Sequence, residues 1–207
     1  MNKFLKGIVL FGLLFFLFDK LFLPLLYVSP NKEIDKRLEL VINGKMNKEL
    51  IIVGSSRGAR NIIASTLEEK TNLSSYNLSY PGSNLEFHEF IVRSLVKYNT
   101  PPKILIVCID NPMAFIPDSI LKFRYDRMYP LVKYDWVMDE LIEREEKNKW
   151  LSKFFVLHKI NKSNFDISQK KFNALDTLDN SGSMPITFQK KDENWNINNE
   201  QKQYNKS

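Results

Sequence analysis

Cysteine and histidine are scarce in this 207-residue chain, which holds one Cys and two His residues. The single cysteine, Cys108, excludes an internal disulfide framework and any metal site with several thiolate ligands. The two histidines, His88 and His158, are too few and too far apart in the sequence to indicate a metal cluster. We therefore predict no metal and no cofactor.

A basic patch is also lacking. The chain carries 30 Lys and Arg against 24 Asp and Glu, a net charge of +6, but these charges are scattered. No basic stripe alternates with aromatic residues, so we predict no nucleic-acid partner. The length suffices for one domain with a sizeable core.

An apolar run covers residues 4–28 almost without interruption. As a helix it would be about 37 Å long at about 1.5 Å per residue, enough to cross a hydrocarbon core of about 30 Å. Lys3 and Lys6 at its start favour a cytoplasmic N-terminus. Because no Ala-x-Ala-like site or lipid-anchor cysteine follows, a retained signal anchor is favoured over a cleaved signal peptide. We predict a single-pass anchor over residues 1–28 in the cell membrane, with the rest of the chain extracytoplasmic.

Asp19 and Lys20 interrupt this run. A charged pair inside the hydrocarbon is costly, so the two residues are expected near the outer interface or facing a partner helix.

The middle of the chain alternates apolar runs with helical patterns. After a linker at 29–48, with a short helix over 32–42, apolar runs occupy 50–53, 76–80 and 103–110. Helical patterns at 60–71 and 85–98 separate them. The order β-α-β-α-β predicts an α/β domain with a parallel sheet and flanking helices, and the 103–110 run reads as its most clearly buried strand.

Small polar residues follow each predicted strand. They are Ser55 and Ser56 after the first strand, Gly82 and Asn84 after the second, and Asp110 and Asn111 after the third. Parallel strands bring their carboxyl ends to one edge of the sheet, where open α/β sheets bind ligands.

Two interpretations of the first turn stay open. A serine hydroxyl at a strand-to-helix turn can act as a nucleophile beside backbone N–H groups that stabilise negative charge. Gly-Ser-Ser is equally typical of ordinary turn and helix-cap chemistry.

The remaining segments carry less chemistry. An aromatic-rich stretch from about residue 113 to 165 is predicted to be a helical insertion, with one long helix over 136–160. Its function is either that of a lid or acceptor-binding insertion near the membrane, or that of an ordinary amphipathic helix covering the sheet. Residues 166–207 are polar, and we expect a poorly ordered tail.

Three stretches together resemble the SGNH/GDSL-type hydrolases: Ile-Ile-Val-Gly-Ser-Ser-Arg, Tyr-Asn-Leu-Ser-Tyr-Pro-Gly-Ser-Asn, and Pro-Lys-Ile-Leu-Ile-Val-Cys-Ile-Asp. The resemblance is to the membrane-anchored bacterial branch with Gly-Ser-Ser in the first block, similar to D-alanyl transfer proteins and envelope O-acetyl esterases and transferases. It covers about residues 48–130 and implies a flavodoxin-like parallel sheet, incomplete here, within residues 49–165.

The resemblance also implies roles for individual residues. Ser56 aligns with the nucleophile, with Ser55 as the fallback. The oxyanion hole would comprise the amides of Ser56 and Gly82 and the side chain of Asn111, since an anionic Asp110 would repel an oxyanion.

Two further residues are candidates for substrate binding. Arg57 either binds an anionic substrate or braces the turn, and Asn84 lies in the second block.

The sequence departs from the family at its last block. The family places Asp-x-x-His near its C-terminus, but no histidine follows His158 and neither histidine has an Asp three residues before it. The chain is therefore expected to be a truncated or degenerate member, and inactive or nearly so as given, because serine lacks its base.

Two functions are weighed. The first is a membrane-anchored serine esterase or O-acyltransferase domain acting on cell-wall or exopolysaccharide polymers, together with a multi-pass membrane acyltransferase. The alternative is a non-catalytic envelope protein that docks such a partner through the anchor, motivated by Asp19 and Lys20.

Overall fold

The computed structural model describes residues 3–109, 120–166, 168 and 177–186. The elements before the sheet are α1 (Lys3–Lys20), α2 (Leu23–Lys32) and α3 (Arg37–Ile42). The α/β part comprises β1 (Leu50–Gly54), α4 (Ser56–Asn61), α5 (Ala64–Thr71), β2 (Ser75–Asn77), α6 (Leu85–Tyr98) and β3 (Ile104–Cys108). The elements after it are α7 (Tyr125–Met128), a 3₁₀ turn (Tyr129–Leu131), α8 (Asp135–Glu143), α9 (Lys149–Phe154), α10 (Val156–Lys159) and α11 (Lys162–Phe165).

The three strands form one parallel sheet in the order β2-β1-β3, which confirms a parallel α/β arrangement. Ile51 of β1 pairs with Tyr76 of β2 and with Leu105 of β3. Every residue of β1 is buried, as its unbroken apolar sequence requires of a central parallel strand.

Helices cover both faces of β1. On one face Ile51 and Val53 join a core that includes Phe90 of α6, together with apolar residues of α3 and α8. On the other face Leu50 and Ile52 pack against Ala64 at the start of α5. The result is a three-layered arrangement with the carboxyl end of β1 emerging between the helical layers.

The third strand is not the buried strand that its sequence indicates. Ile104, Leu105 and Val107 are 43%, 38% and 43% exposed. Within the described part of the chain, β3 pairs only with β1, so it forms an edge of the sheet. An apolar run is compatible with a buried strand, but the sequence pattern does not show whether another strand or helix packs beside it.

Two predicted helices are each interrupted. The helix expected over 60–71 is divided into α4 and α5, because Ile62 and Ile63 are extended and Asn77 donates its side-chain amide to the carbonyl of Ile62 at 2.8 Å. The helix expected over 136–160 is divided into α8, α9 and α10. Its first break follows Glu143, where Glu145 adopts the left-handed conformation with φ 61°.

A buried ion pair fastens the linker to the sheet. The Arg37 side chain is 1% exposed and forms a two-point contact with Asp35, at 2.9 and 2.7 Å. The same guanidinium donates to the carbonyl of Ser79 at 2.7 Å and to that of Gly182 at 3.1 Å, and it lies over the Tyr80 ring. Burial raises the pKa of Asp35, but the charge and hydrogen bonds of Arg37 outweigh this and hold that pKa below its usual value.

Residues 177–186 were expected to belong to a poorly ordered tail, and here the expectation is wrong. The carbonyl of Ser181 accepts from the amide of Asn77 at 2.8 Å, and Ser183 is fully buried. Gly182 has φ 78°, and a Cβ there would lie 2.4 Å from the carbonyl oxygen of Asn77, so only glycine fits this approach.

One N-terminal helical stretch, Lys3–Lys32, is long and apolar enough to cross a membrane, and 6% of its most apolar window is buried. Asp19 within it is completely buried against its own chain. Its carboxylate accepts from the amides of Val156 at 2.7 Å and Leu157 at 2.8 Å, which caps the start of α10. The charge that suggested a partner helix therefore has partners within the protein.

Candidate functional site

The turn that follows β1 is shaped by its tight packing against the end of β3. A Cβ on Gly54 would lie 2.7 Å from the Cβ of Cys108 and 3.1 Å from its carbonyl oxygen. A Cβ on Gly58, one turn into α4, would lie 2.7 Å from Ser79 Oγ. Both glycines let the helix start directly on the sheet, which fixes where the serines between them lie.

The two serines of this turn have different environments. Ser55 is buried and precedes the first turn of α4, where its carbonyl accepts from the amide of Ala59 at 3.0 Å. Ser56 is the first residue of α4 and is half-buried, and Arg57 beside it is exposed. Ser56 is the more accessible of the two candidate nucleophiles.

The second turn, residues 81–84, meets the first through one carbonyl. Gly54 O accepts from the amide of Tyr80 at 2.9 Å, and Ser83 Oγ lies 3.2 Å from the same oxygen. Gly82 between them is exposed and has φ 75°. Among the described residues no acceptor is bonded to the Gly82 N–H, whereas its carbonyl accepts from the amide of Lys122 at 2.9 Å. The two strand ends that the sequence assigns to one site are thus joined.

Asn84, a candidate substrate-binding residue, caps α6. Its side-chain oxygen accepts from the backbone amide of Phe87 at 3.1 Å, and its backbone amide donates to the carbonyl of Lys122 at 3.0 Å. The side-chain oxygen of Asn84 is thus already bonded as the N-cap of α6. Asp110 and Asn111, including the predicted oxyanion donor, lie outside the described residues.

A buried serine–histidine pair beside this site was missed by the sequence reasoning. His88 Nε2 lies 2.7 Å from Ser83 Oγ, and Ser83 Oγ also lies 2.6 Å from the carbonyl oxygen of Tyr80. Ser83 immediately precedes the Asn84 cap and His88 is the fourth residue of the helix. These are the two positions that contact each other across a helix start. The cap signal at Asn84 was therefore the clue to this pair.

The donors and acceptors around Ser83 and His88 give this pair a structural role. The Tyr80 carbonyl is only an acceptor, so the single hydroxyl proton of Ser83 goes to it, and Nε2–H of His88 donates to Ser83 Oγ. The opposite tautomer would bury an N–H on Nδ1, which has no partner among the described residues. In this arrangement the imidazole is not positioned to take the serine proton, and Ser83 is fully buried.

Burial also keeps His88 uncharged. Desolvation lowers the pKa of His88 to about 4, and the carbonyl of Gly54 opposes this only in part. The neutral ring holds the Ser83 turn against the end of β1. His88 is thus a positioning residue for the loop that carries Gly82.

Neither histidine of the described residues is placed to serve Ser56 as a base. His88 is bonded to Ser83, and His158 Nε2 accepts from the amide of Asn148 at 3.0 Å, in the segment that contacts α1. Neither imidazole is bonded to Ser56. In the part of the chain that the structure describes, no group of three or more His, Cys, Asp or Glu residues is arranged to hold a metal ion.

Comparison with protein-family models, with curated proteins and with solved structures found no match.

Proposed function

We propose that the chain is a membrane-anchored, SGNH-like α/β domain whose complete site performs serine acyl transfer on acyl esters of cell-envelope polymers. The observation that carries the proposal is the carbonyl of Gly54, which accepts from the amide of Tyr80 at 2.9 Å and lies 3.2 Å from Ser83 Oγ. This contact brings the Gly-Ser-Ser and Pro-Gly-Ser turns to the same end of a parallel sheet, where ligands of α/β proteins bind.

In this proposal Ser56 attacks the ester carbonyl. The amides of Ser56 and Gly82, with the side chain of Asn111, stabilise the resulting oxyanion. Transfer to water makes the domain an esterase, and transfer to a sugar or polyol hydroxyl makes it a transferase. A multi-pass membrane acyltransferase is the proposed partner, and the stretch Lys3–Lys32 is the proposed anchor, with its N-terminus cytoplasmic.

The base is the part of the mechanism that these residues do not supply. Without it, the serine hydroxyl stays protonated at neutral pH and is a poor nucleophile. We therefore expect the 207-residue chain alone to be inactive or nearly so, and to resist labelling by a fluorophosphonate.

A thiol nucleophile tests the site without needing a base. In a Cys108→Ala background, Ser56→Cys is treated with a p-nitrophenyl ester in detergent, and the thioester is measured by mass spectrometry. Ser55→Cys is the matched control, since it places the same thiol one residue away in a buried position. We expect Cys at position 56 to be acylated at least about tenfold faster, as thiolates are stabilised beside backbone amides.

Equal acylation rates for the two thiols would contradict the assignment of Ser56. A rate at position 56 no greater than that of a free thiol of ordinary pKa would contradict the proposed ring of amide donors.

A further inference from the structure

The short helix α9 has its polarity reversed relative to an ordinary surface helix. Trp150, Leu151 and Phe154 are 65%, 46% and 51% exposed, whereas the small polar residue Ser152 is 2% exposed. At about 100° per residue, the three large apolar side chains share one outward face. Contiguous exposed apolar surface of this kind marks a contact with a partner or a membrane.

This face lies beside the N-terminal helical stretch. The ring of Phe155, directly after α9, is 6.0 Å from the ring of Phe15 and 6.2 Å from that of Phe16. Lys20 Nζ donates to the carbonyl of Phe154 at 2.5 Å. The end of α9 therefore lies against the side of α1, with the Lys20 ammonium at the junction.

The Asp19 carboxylate sets the position of α9 along the stretch. It bonds the two amides that begin α10, and only Phe155 separates them from the end of α9. If α1 crosses the bilayer, Asp19 and Lys20 lie toward its outer end. The exposed face of α9 is then held at the depth where aromatic residues are enriched at membrane interfaces.

Charge on the flank of α9 matches the same surroundings. Lys149 and Lys153 are exposed and lie four residues apart, so they form one row next to the apolar face. Long lysine side chains beside buried apolar groups extend to the headgroup level, where they meet phosphate.

We propose that α9 lies in the outer interface of the bilayer, with Trp150, Leu151 and Phe154 inserted below the headgroups and Lys149 and Lys153 among the lipid phosphates. The inference rests on the proposed function in one respect, namely that α1 is a membrane anchor. In this arrangement α9 is a second membrane contact of the domain besides α1, and the hydrogen bonds of Asp19 hold the two helices together.

Depth-dependent quenching by brominated phospholipids tests the proposal on the full chain in lipid nanodiscs. The protein has three tryptophans, so Trp136→Phe with Trp195→Phe leaves Trp150 as the single reporter. The matched control keeps Trp136, which stacks on Phe90 within the domain, and replaces the other two by Phe. A third protein lacks all three tryptophans and carries Phe11→Trp, which reports on the anchor itself.

We expect bromine in the upper part of the acyl chains to remove about half or more of the Trp150 emission, because interfacial helices bury their apolar face about 5–10 Å deep. Bromine near the chain ends should remove less, and Trp136 should be unaffected. Quenching at position 11 without quenching of Trp150 would overturn the inference and leave the anchor intact, with the α9 face open to a protein or a second copy. Absence of quenching at both positions would overturn the anchor as well.

Discussion

Acidification should destabilise this protein mainly through His88, beginning above the range in which carboxylates ordinarily titrate. The ring is 6% exposed and its pKa is lowered from 6.5 to about 4. In the unfolded chain the ring regains its ordinary pKa, so the unfolded state binds more protons over this interval. Stability is therefore fully present above about pH 6.5 and is lost as the pH falls toward about 4.

The size of the effect follows from the two pKa values. A fall of about 2.5 in the pKa corresponds to at most about 3 kcal/mol of unfolding free energy, at about 1.36 kcal/mol per pKa unit. Between about pH 7 and about pH 5 the expected loss from His88 is about 2 kcal/mol.

The assay is urea unfolding of the full chain in mild detergent, followed by tryptophan fluorescence at the two pH values. His88→Gln is the test variant, because its amide can still donate to Ser83 Oγ but cannot take up a proton. His158→Gln is the comparison variant, since His158 is only partly buried, although desolvation and Lys147 also lower the pKa of this ring. We expect the loss between the two pH values to shrink by about 2 kcal/mol in His88→Gln and by less in His158→Gln.

Equal pH dependence in His88→Gln and the parent protein would refute the reasoning. So would an NMR titration in which the His88 ring gains its proton near its ordinary pKa, since a charged ring could not sit in the present network.

Two further predictions concern packing. Gly54→Ala should destabilise the protein by about 1–3 kcal/mol in urea unfolding, because the added Cβ would collide with Cys108. Gly12→Ala is the control and should not destabilise the protein, because no atom lies within 4 Å of the added Cβ. Arg37→Met should cost about 3–5 kcal/mol by leaving Asp35 buried and unpaired. Adding Asp35→Asn to Arg37→Met should restore part of that loss, and a double variant no more stable than the single one would contradict the ion-pair explanation.

Local signals were sufficient for the elements that carry the site. The helical period from Leu85 to Tyr98 predicted α6 with the bounds that it has. The β-branched run after Glu49 predicted β1 equally well. In both cases the decisive interactions lie within a few residues of each other.

Other features depend on residues distant in the sequence and could not be predicted in the same way. The break after α8 is held by Lys147, whose ammonium donates to the carbonyls of His158 and Ile160. The burial of Arg37 depends on the carbonyl of Gly182, far along the chain. The Ser83–His88 contact is the intermediate case, since it follows from helix-cap geometry once the cap is recognised.

The outer edge of β3 has a practical consequence for handling the protein. Within the described part of the chain no second strand pairs with this edge, and Ile104 and Val107 on β3 are both more than one-third exposed. Such an edge is a template for a strand from another molecule. Preparations concentrated in detergent are thus prone to associate edge to edge through β3, and Val107→Lys should keep them monodisperse.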